Sequence, residues 1–303
     1  MSARYLLCCW PFPGHVNPNI AVARALRERG HDVAFYTGDD ARATIEAEGF
    51  EVFPFERVAA AWEPVRELEH RASGQRGKWR AQASAFRGWL IGTVGAQVSD
   101  LEGVLDRWAP DVLVSEPAML GPIAVLWETT GLPVAALATF MGTLIPGPDA
   151  PIAFGLGLPP ARSRAARAVK AAADRAVDWG GARFRRDLDA VRARHGLDPL
   201  PCSINAFGAR LPLFLVGNAP ELDYARHDLP GTVHYVGPCS WQPATGAQTS
   251  ARLEDVPSER PWVHITEGTS NARGPFLLRA AARGLVLLCR RLGSLSCHQK
   301  SVP

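Results

Sequence analysis

The sequence predicts an α/β protein built on a doubly wound parallel sheet, and three observations carry that prediction. Short apolar runs such as residues 5–9 (YLLCC) have strand length and no polar alternation, which suits parallel strands buried on both faces. Between them lie stretches with helical periodicity. In residues 20–29, for example, Val22, Ala23 and Leu26 fall on one side and Arg24, Arg27 and Glu28 on the other. The two patterns alternate with short connections, as βαβ units on a parallel sheet require.

Size and composition set the outer bounds. A chain of 303 residues, 47% hydrophobic and 21% charged, accommodates one large domain or two modest ones. A formal net charge of +3 is too small to imply a nucleic-acid partner. The six cysteines have no metal-ligand spacing and no CxxC. Cys8 and Cys9 are adjacent in the expected first strand, so their side chains point to opposite faces and read as small buried hydrophobes of a reducing compartment. Residues 1–4 run straight into that strand without a signal peptide, and the apolar runs are too short and interrupted to span a bilayer. A cytoplasmic protein with no stable membrane insertion is expected; the oligomeric state is not legible.

Taken in order, the first strand (5–9) leads into WPFPGHVNPN, residues 10–19. Pro11, Pro13 and Gly14 make this connection stiff, Asn17 suits a helix cap and Pro18 the first position of a helix over 20–29. That places His15 in a rigid loop at the carboxyl end of the first strand, where open α/β sheets hold their ligands. Its imidazole is a candidate general base; a capping or surface histidine fits the same position. Gly30 ends the helix, residues 32–36 form the second strand, Asp39 or Asp40 caps a short helix stopped by Gly49, and residues 51–55 form the third strand. The first turn has one glycine rather than G-x-G-x-x-G, and the second strand does not end in an acidic residue, which argues against a nicotinamide cofactor.

Residues 58–85 carry Trp62 and Trp79 without clean periodicity, as a solvated lid or an acceptor-lining segment over the sheet edge would. A long amphipathic helix is expected over 86–108, then a strand over 111–115 that ends at Glu116 on the same sheet edge as His15. A helix over 122–130 and a strand over 133–138 follow. Phe140 and Met141 come next, read equally as core or as pocket, in a Pro/Gly-rich loop that runs to 160. Residues 163–195 are helical and dense in Arg, the pattern of a solvated face. The last strands of this domain are 213–216 and 233–236. The expected organisation is a first domain over 1–237, a polar linker over 238–260, and a restart at 261–303 with a strand over 261–266 and a helix over 275–283.

The phrase P-x-P-G-H-V-N-P between an apolar strand and a helix, with Arg29-Gly30-His31 and a second strand after it, resembles the GT-B glycosyltransferases of the UDP-glycosyltransferase superfamily. The likeness is greatest to the bacterial branch that decorates macrolides and other natural products. The resemblance implies that His15 deprotonates the acceptor hydroxyl. It also implies that Glu116, closing Pro110-Asp111-Val112-Leu113-Val114-Ser115-Glu116 where the family has P-D-x-x-x-x-D, orients that histidine. Trp62, Trp79, Phe140 and Met141 become acceptor-side candidates, and Thr266-Glu267-Gly268-Thr269 opens a second Rossmann-like domain whose Gly268 and Thr269 touch the donor diphosphate. The implied reaction is inverting transfer of a hexose from a UDP- or TDP-sugar to a hydroxyl of an apolar acceptor, with no metal and no further cofactor.

At the level of motif order the resemblance runs from residue 4 to about residue 284; residues 286–303 (VLLCRRLGSLSCHQKSVP) do not fit it. The expected architecture is therefore a complete N-terminal Rossmann-like domain plus only the first strand and helix of a truncated donor domain. Such a chain is expected to transfer no sugar by itself. Two other classes remain open on the residues alone: an acceptor-binding or auxiliary module without catalysis, and a different Rossmann-like enzyme using His15 on a small phosphorylated metabolite.

Overall fold

The computed structural model describes residues 2–62, 84–85, 87–139, 144–151, 161–243, 263, 265–266 and 276–292. They group into two compact units, Met1–Gln242 and Pro243–Pro303.

The first unit is built on a seven-stranded sheet in which every pairing is parallel, in the order β3-β2-β1-β4-β5-β6-β7. The strands are β1 (Arg4–Cys8), β2 (Asp32–Thr37), β3 (Glu51–Pro54), β4 (Val112–Ser115), β5 (Val134–Ala138), β6 (Leu213–Val216) and β7 (Val233–Tyr235). Their side chains alternate between two cores, so the apolar runs serve both faces of one sheet. Leu6 and Cys8 enter the first core with Ala34, Tyr36, Leu113 and Ala136, and Leu7 and Cys9 enter the second with Phe35, Val114 and Ala135. The opposite-facing cysteine pair agrees with the sequence reading. Burial first, and the Glu116 carboxylate second, push both thiols far above their ordinary range, so they stay protonated.

Helices cover both faces. Helix α1 (Pro13–Glu28) lays Val16, Ile20 and Ala23 on the second core. Helix α2 (Arg42–Glu46), after a single 3₁₀ turn at Asp39–Ala41, adds Ile45 to the same side. Helices α3 (Val94–Trp108) and α4 (Leu120–Thr130) cover the first core with Val98, Leu101, Ile123 and Leu126. Full burial of each such side chain contributes about 1.5–3 kcal/mol. The packing of α3 on α4 is tight: a Cβ at Gly121 would lie 2.5 Å from Val94 Cγ2, so any larger residue there forces Val94 or the helices to shift.

Several boundaries differ from the sequence expectation. Helix α1 begins at Pro13, not near residue 20, so Pro18 lies inside the helix and Asn17 caps nothing. Both prolines satisfy a helix-start rule locally. The earlier start wins because it brings Val16 and Ile20 onto the sheet, and Pro18 forfeits only the bond to Gly14 near the helix end. The expected helix over 86–108 is divided by a π-helical stretch at Gly88–Gly92, flanked by the glycines that tolerate a widened turn. The Arg-rich stretch is two helices, α5 (Arg164–Gly180), capped by Ser163, and α6 (Ala182–Arg194), separated at Gly180-Gly181. Its face is mostly solvated, but Arg192 is buried and donates to the carbonyls of Ala124 and Asp198 and to Glu128. A short helix α7 (Ile204–Gly208) lies outside the sequence expectation.

In the second unit the expected strand over 261–266 is described only at residues 263, 265 and 266, none of which is in a strand. Helix α8 (Phe276–Leu292) continues past the expected end at 283. A lone Gly284 costs about 1 kcal/mol among Ala, Leu and Arg, too little to stop a run of good helix formers.

Candidate active site

The strand order reverses between β1 and β4. Strands β2 and β3 extend the sheet one way and β5–β7 the other, with α1 on one face and α4 on the opposite face. A crevice therefore opens at the carboxyl ends of β1 and β4, the place where doubly wound sheets bind ligands. His15 follows β1 and Glu116 follows β4, and the pairing of Cys8 with Ser115 brings these two ends level.

His15 lies in the first turn of α1 rather than in a loop. Its backbone N–H donates to Phe12 O at 2.8 Å, and the Asn19 side chain donates to its carbonyl at 2.8 Å, so the backbone under the imidazole is held at both ends. Glu116 is wholly buried at the head of a 3₁₀ turn (Pro117–Met119). Its own N–H donates to Cys8 O at 3.3 Å and its carbonyl accepts from Met119. One carboxylate oxygen of Glu116 accepts from the Trp10 backbone N–H at 2.6 Å, and the other is hydrogen-bonded to His15 Nδ1. Only a ring with its proton on Nδ1 donates in that bond, so the neutral imidazole carries its lone pair on Nε2. Burying a carboxylate is costly unless it is paired and hydrogen-bonded, and here two donors from the β1 side do that.

Beside the pair stands a group of aromatic rings. Trp10, Phe12, Trp62 and Trp89 are mutually in contact, every pair of centroids lying between 5.1 and 6.5 Å, and Phe55 meets Trp10 at 5.3 Å. Phe12 turns its ring edge-to-face against His15 at 5.5 Å. The segment that carries Trp62, helical over residues 57–62, is anchored by the buried Asp100 of α3. That carboxylate accepts from the backbone N–H groups of Glu56, Arg57 and Val58 at 2.9–3.3 Å and from the Tyr36 hydroxyl at 3.1 Å. Burial, then the Asp100 charge, raises the Tyr36 hydroxyl well above its ordinary value.

Of the residues singled out from sequence, His15 and Glu116 meet directly, and Trp62 reaches them through Phe12. Trp79, Phe140, Met141, Gly268 and Thr269 lie outside the described residues. Sequence reasoning misses Phe12, Trp89 and Asp100. Phe12 has a usable signal, an aromatic between two prolines at a strand's carboxyl end, and Trp89 another, an indole between two helix-loosening glycines. Asp100 has none, since it reads as one polar position of an amphipathic helix. Among the described residues no group of three or more His, Cys, Asp or Glu is placed to hold a metal ion, and no helix is long and apolar enough to cross a membrane.

A doubly wound parallel unit whose switch point holds a carboxylate-paired histidine belongs to the α/β proteins that place their ligands at that edge, and similarity to known proteins narrows the class. The chain is 33% identical over 300 residues to 4'-demethylrebeccamycin synthase of Lentzea aerocolonigenes, covering 94% of this chain and 68% of that one. It is 28% identical over 305 residues to zeaxanthin glucosyltransferase of Pantoea ananas, covering 95% and 67%. Among solved structures it resembles the glycosyltransferase of kitacinnamycin, with a TM-score of 0.54 at 17% identity over 80% of this chain and 52% of that one. The calicheamicin glycosyltransferase CalG4 gives 0.50 at 17% identity over 80% and 54%. No protein-family model matches. The chain belongs to the GT-B natural-product glycosyltransferases of the UDP-glycosyltransferase superfamily. It spans about two thirds of the length of the curated relatives and about half that of the solved structures.

Proposed function

We propose that residues 1–237 form the acceptor-activating half of an inverting glycosyltransferase, joined by a linker over 238–260 to a nucleotide-sugar-binding part that begins at 261. His15 Nε2 takes the proton of an acceptor hydroxyl. The acceptor oxygen then attacks the anomeric carbon of a UDP- or TDP-hexose, and the bond from that carbon to the diphosphate oxygen breaks, releasing the nucleoside diphosphate with inversion. Glu116 accepts from Nδ1, holds the productive tautomer and balances the imidazolium as it forms. Gly268 and Thr269 are the donor-side candidates, through backbone groups that suit a diphosphate. The acceptor is an apolar natural product, as the names of the two curated relatives suggest.

The observation that carries this reading is the His15–Glu116 pair at the β1/β4 crevice. A chimera joining this chain at residue 284 to the remaining part of the 33%-identical relative supplies the assay. His15→Ala is expected to lower kcat by roughly 10²–10⁴ with acceptor KM changed by less than about threefold, the signature of a lost general base. NMR of the product should show an inverted anomeric centre. Near-normal turnover in the variant, or a retained anomer, refutes the assignment.

A further inference from the structure

We infer that the outward face of α5 (Arg164–Gly180) rests on the surface of an anionic lipid bilayer. A surface helix of a globular protein sets its apolar stripe on the core and its charges in water, and α5 is turned the other way. The side packed inward carries Ala166, Lys170, Ala173 and Asp174, none of them exposed. Lys170 is only 4% exposed and donates to Asp174 one turn on, so a charged pair sits where a core residue belongs. The opposite side carries Ala165, Val169, Ala172, Ala176 and Trp179. All five are exposed, Val169 at 62% and Trp179 at 83%. At about 3.6 residues per turn they fall within roughly 80° of the helix circumference and run along it for about 21 Å.

Charge selects what covers this face. Over residues 162–186 seven arginines are exposed, against one exposed carboxylate, Asp178. Arg164 and Arg175 border the apolar arc, and Arg183, Arg185 and Arg186 follow Trp179 across the Gly180-Gly181 break. Among the described residues none of these five forms an ion pair. An apolar strip bordered by unpaired guanidinium groups matches a plane with an anionic outer layer and an apolar interior. The arginines reach the headgroup phosphates, and the amphipathic Trp179 ring settles at the boundary between the two layers. A second copy of this chain is the poorer occupant, because two-fold pairing of the face with itself sets arginine against arginine. The helix lies on the bilayer and does not cross it, since its inward side stays on the protein; no described helix is long and apolar enough to span.

Co-sedimentation of the 303-residue chain with vesicles of phosphatidylcholine, and of equimolar phosphatidylcholine and phosphatidylglycerol, tests the inference. Binding to the mixed vesicles is expected to be at least about tenfold tighter, and to weaken by a similar factor between about 0.1 M and about 0.5 M salt. Arg164→Gln and Arg175→Gln combined should weaken it by roughly 10–25-fold, about fivefold for each charge. Val169→Ser with Trp179→Ser should weaken it by roughly tenfold, and Trp179→Phe should keep most of the affinity. The substituted side chains are exposed, so melting temperatures should match that of the unsubstituted chain. If the serine pair fails that check, Ala172→Glu, a good helix former that sets a carboxylate in the middle of the arc, takes its place. Equal binding to both kinds of vesicle, binding to neither, or binding to the mixed vesicles that survives the apolar-face variants overturns the assignment. So does a concentration-dependent dimer in sedimentation velocity that those variants dissolve, which gives the face to a second copy.

Discussion

Replacing Glu116 by Gln keeps the side chain's size and removes its charge, and the surrounding hydrogen bonds dictate how the new amide must sit. The Trp10 N–H donates to one oxygen of residue 116 at 2.6 Å and needs an acceptor there. The glutamine carbonyl must therefore face Trp10, which turns the amide NH₂ toward His15. An NH₂ group donates, so His15 Nδ1 becomes the acceptor and the ring proton moves to Nε2, the nitrogen that has to take the substrate proton. The base is then silenced by tautomer as well as by loss of counter-charge. In the chimera Glu116→Gln should lose roughly 10²–10⁴ in kcat, as much as His15→Ala. The fold should survive, since every hydrogen bond has a replacement. Glu116→Ala, by contrast, orphans a buried N–H and should cost about 1–3 kcal/mol. The tautomer is observable in the 303-residue chain by ¹⁵N-histidine NMR: protonated Nδ1 before the substitution and protonated Nε2 after it. Retention of the Nδ1 proton in Glu116→Gln, or turnover within about tenfold of wild type, would refute the argument.

Asp100→Ala removes the acceptor for three backbone N–H groups and the Tyr36 hydroxyl, and should destabilise the first unit by about 2–4 kcal/mol in urea titrations; a loss below about 1 kcal/mol would mean that water replaces the carboxylate. Gly121→Ala drives a methyl against Val94 and should cost about 1–3 kcal/mol, seen as a lower urea midpoint at unchanged slope. The raised Cys8, Cys9 and Tyr36 pKa values make the folded state hold protons that the unfolded chain has released, so their contribution is complete below about pH 8.5 and declines as pH rises from there. Unfolding free energies measured between about pH 8 and 11 should fall steadily, and a flat profile would contradict the sign.

Local pattern was enough for the order of the seven strands, their two-sided burial, and the placing of His15 at the carboxyl end of β1. Residues 4–8 are apolar without alternation, so they belong in a covered parallel strand, and a histidine just beyond a proline-stiffened strand end is held near the ligand edge wherever the helix begins. Tertiary structure decided what local pattern leaves degenerate. Pro13 and Pro18 are equivalent as helix starts until the sheet's demand for Val16 and Ile20 picks one. Residue 116 stands 101 residues from His15, and its contact with the imidazole follows from strand order, which no window of sequence contains. The same holds for the contact among Phe12, Trp62 and Trp89: each can be picked out in its own segment, but the rings meet only when three segments converge. Arg192 and Asp100 read as solvated positions on amphipathic helices, yet both are buried, because backbone groups of distant segments need partners inside the protein and only a folded chain reveals which charged side chain is near enough to serve.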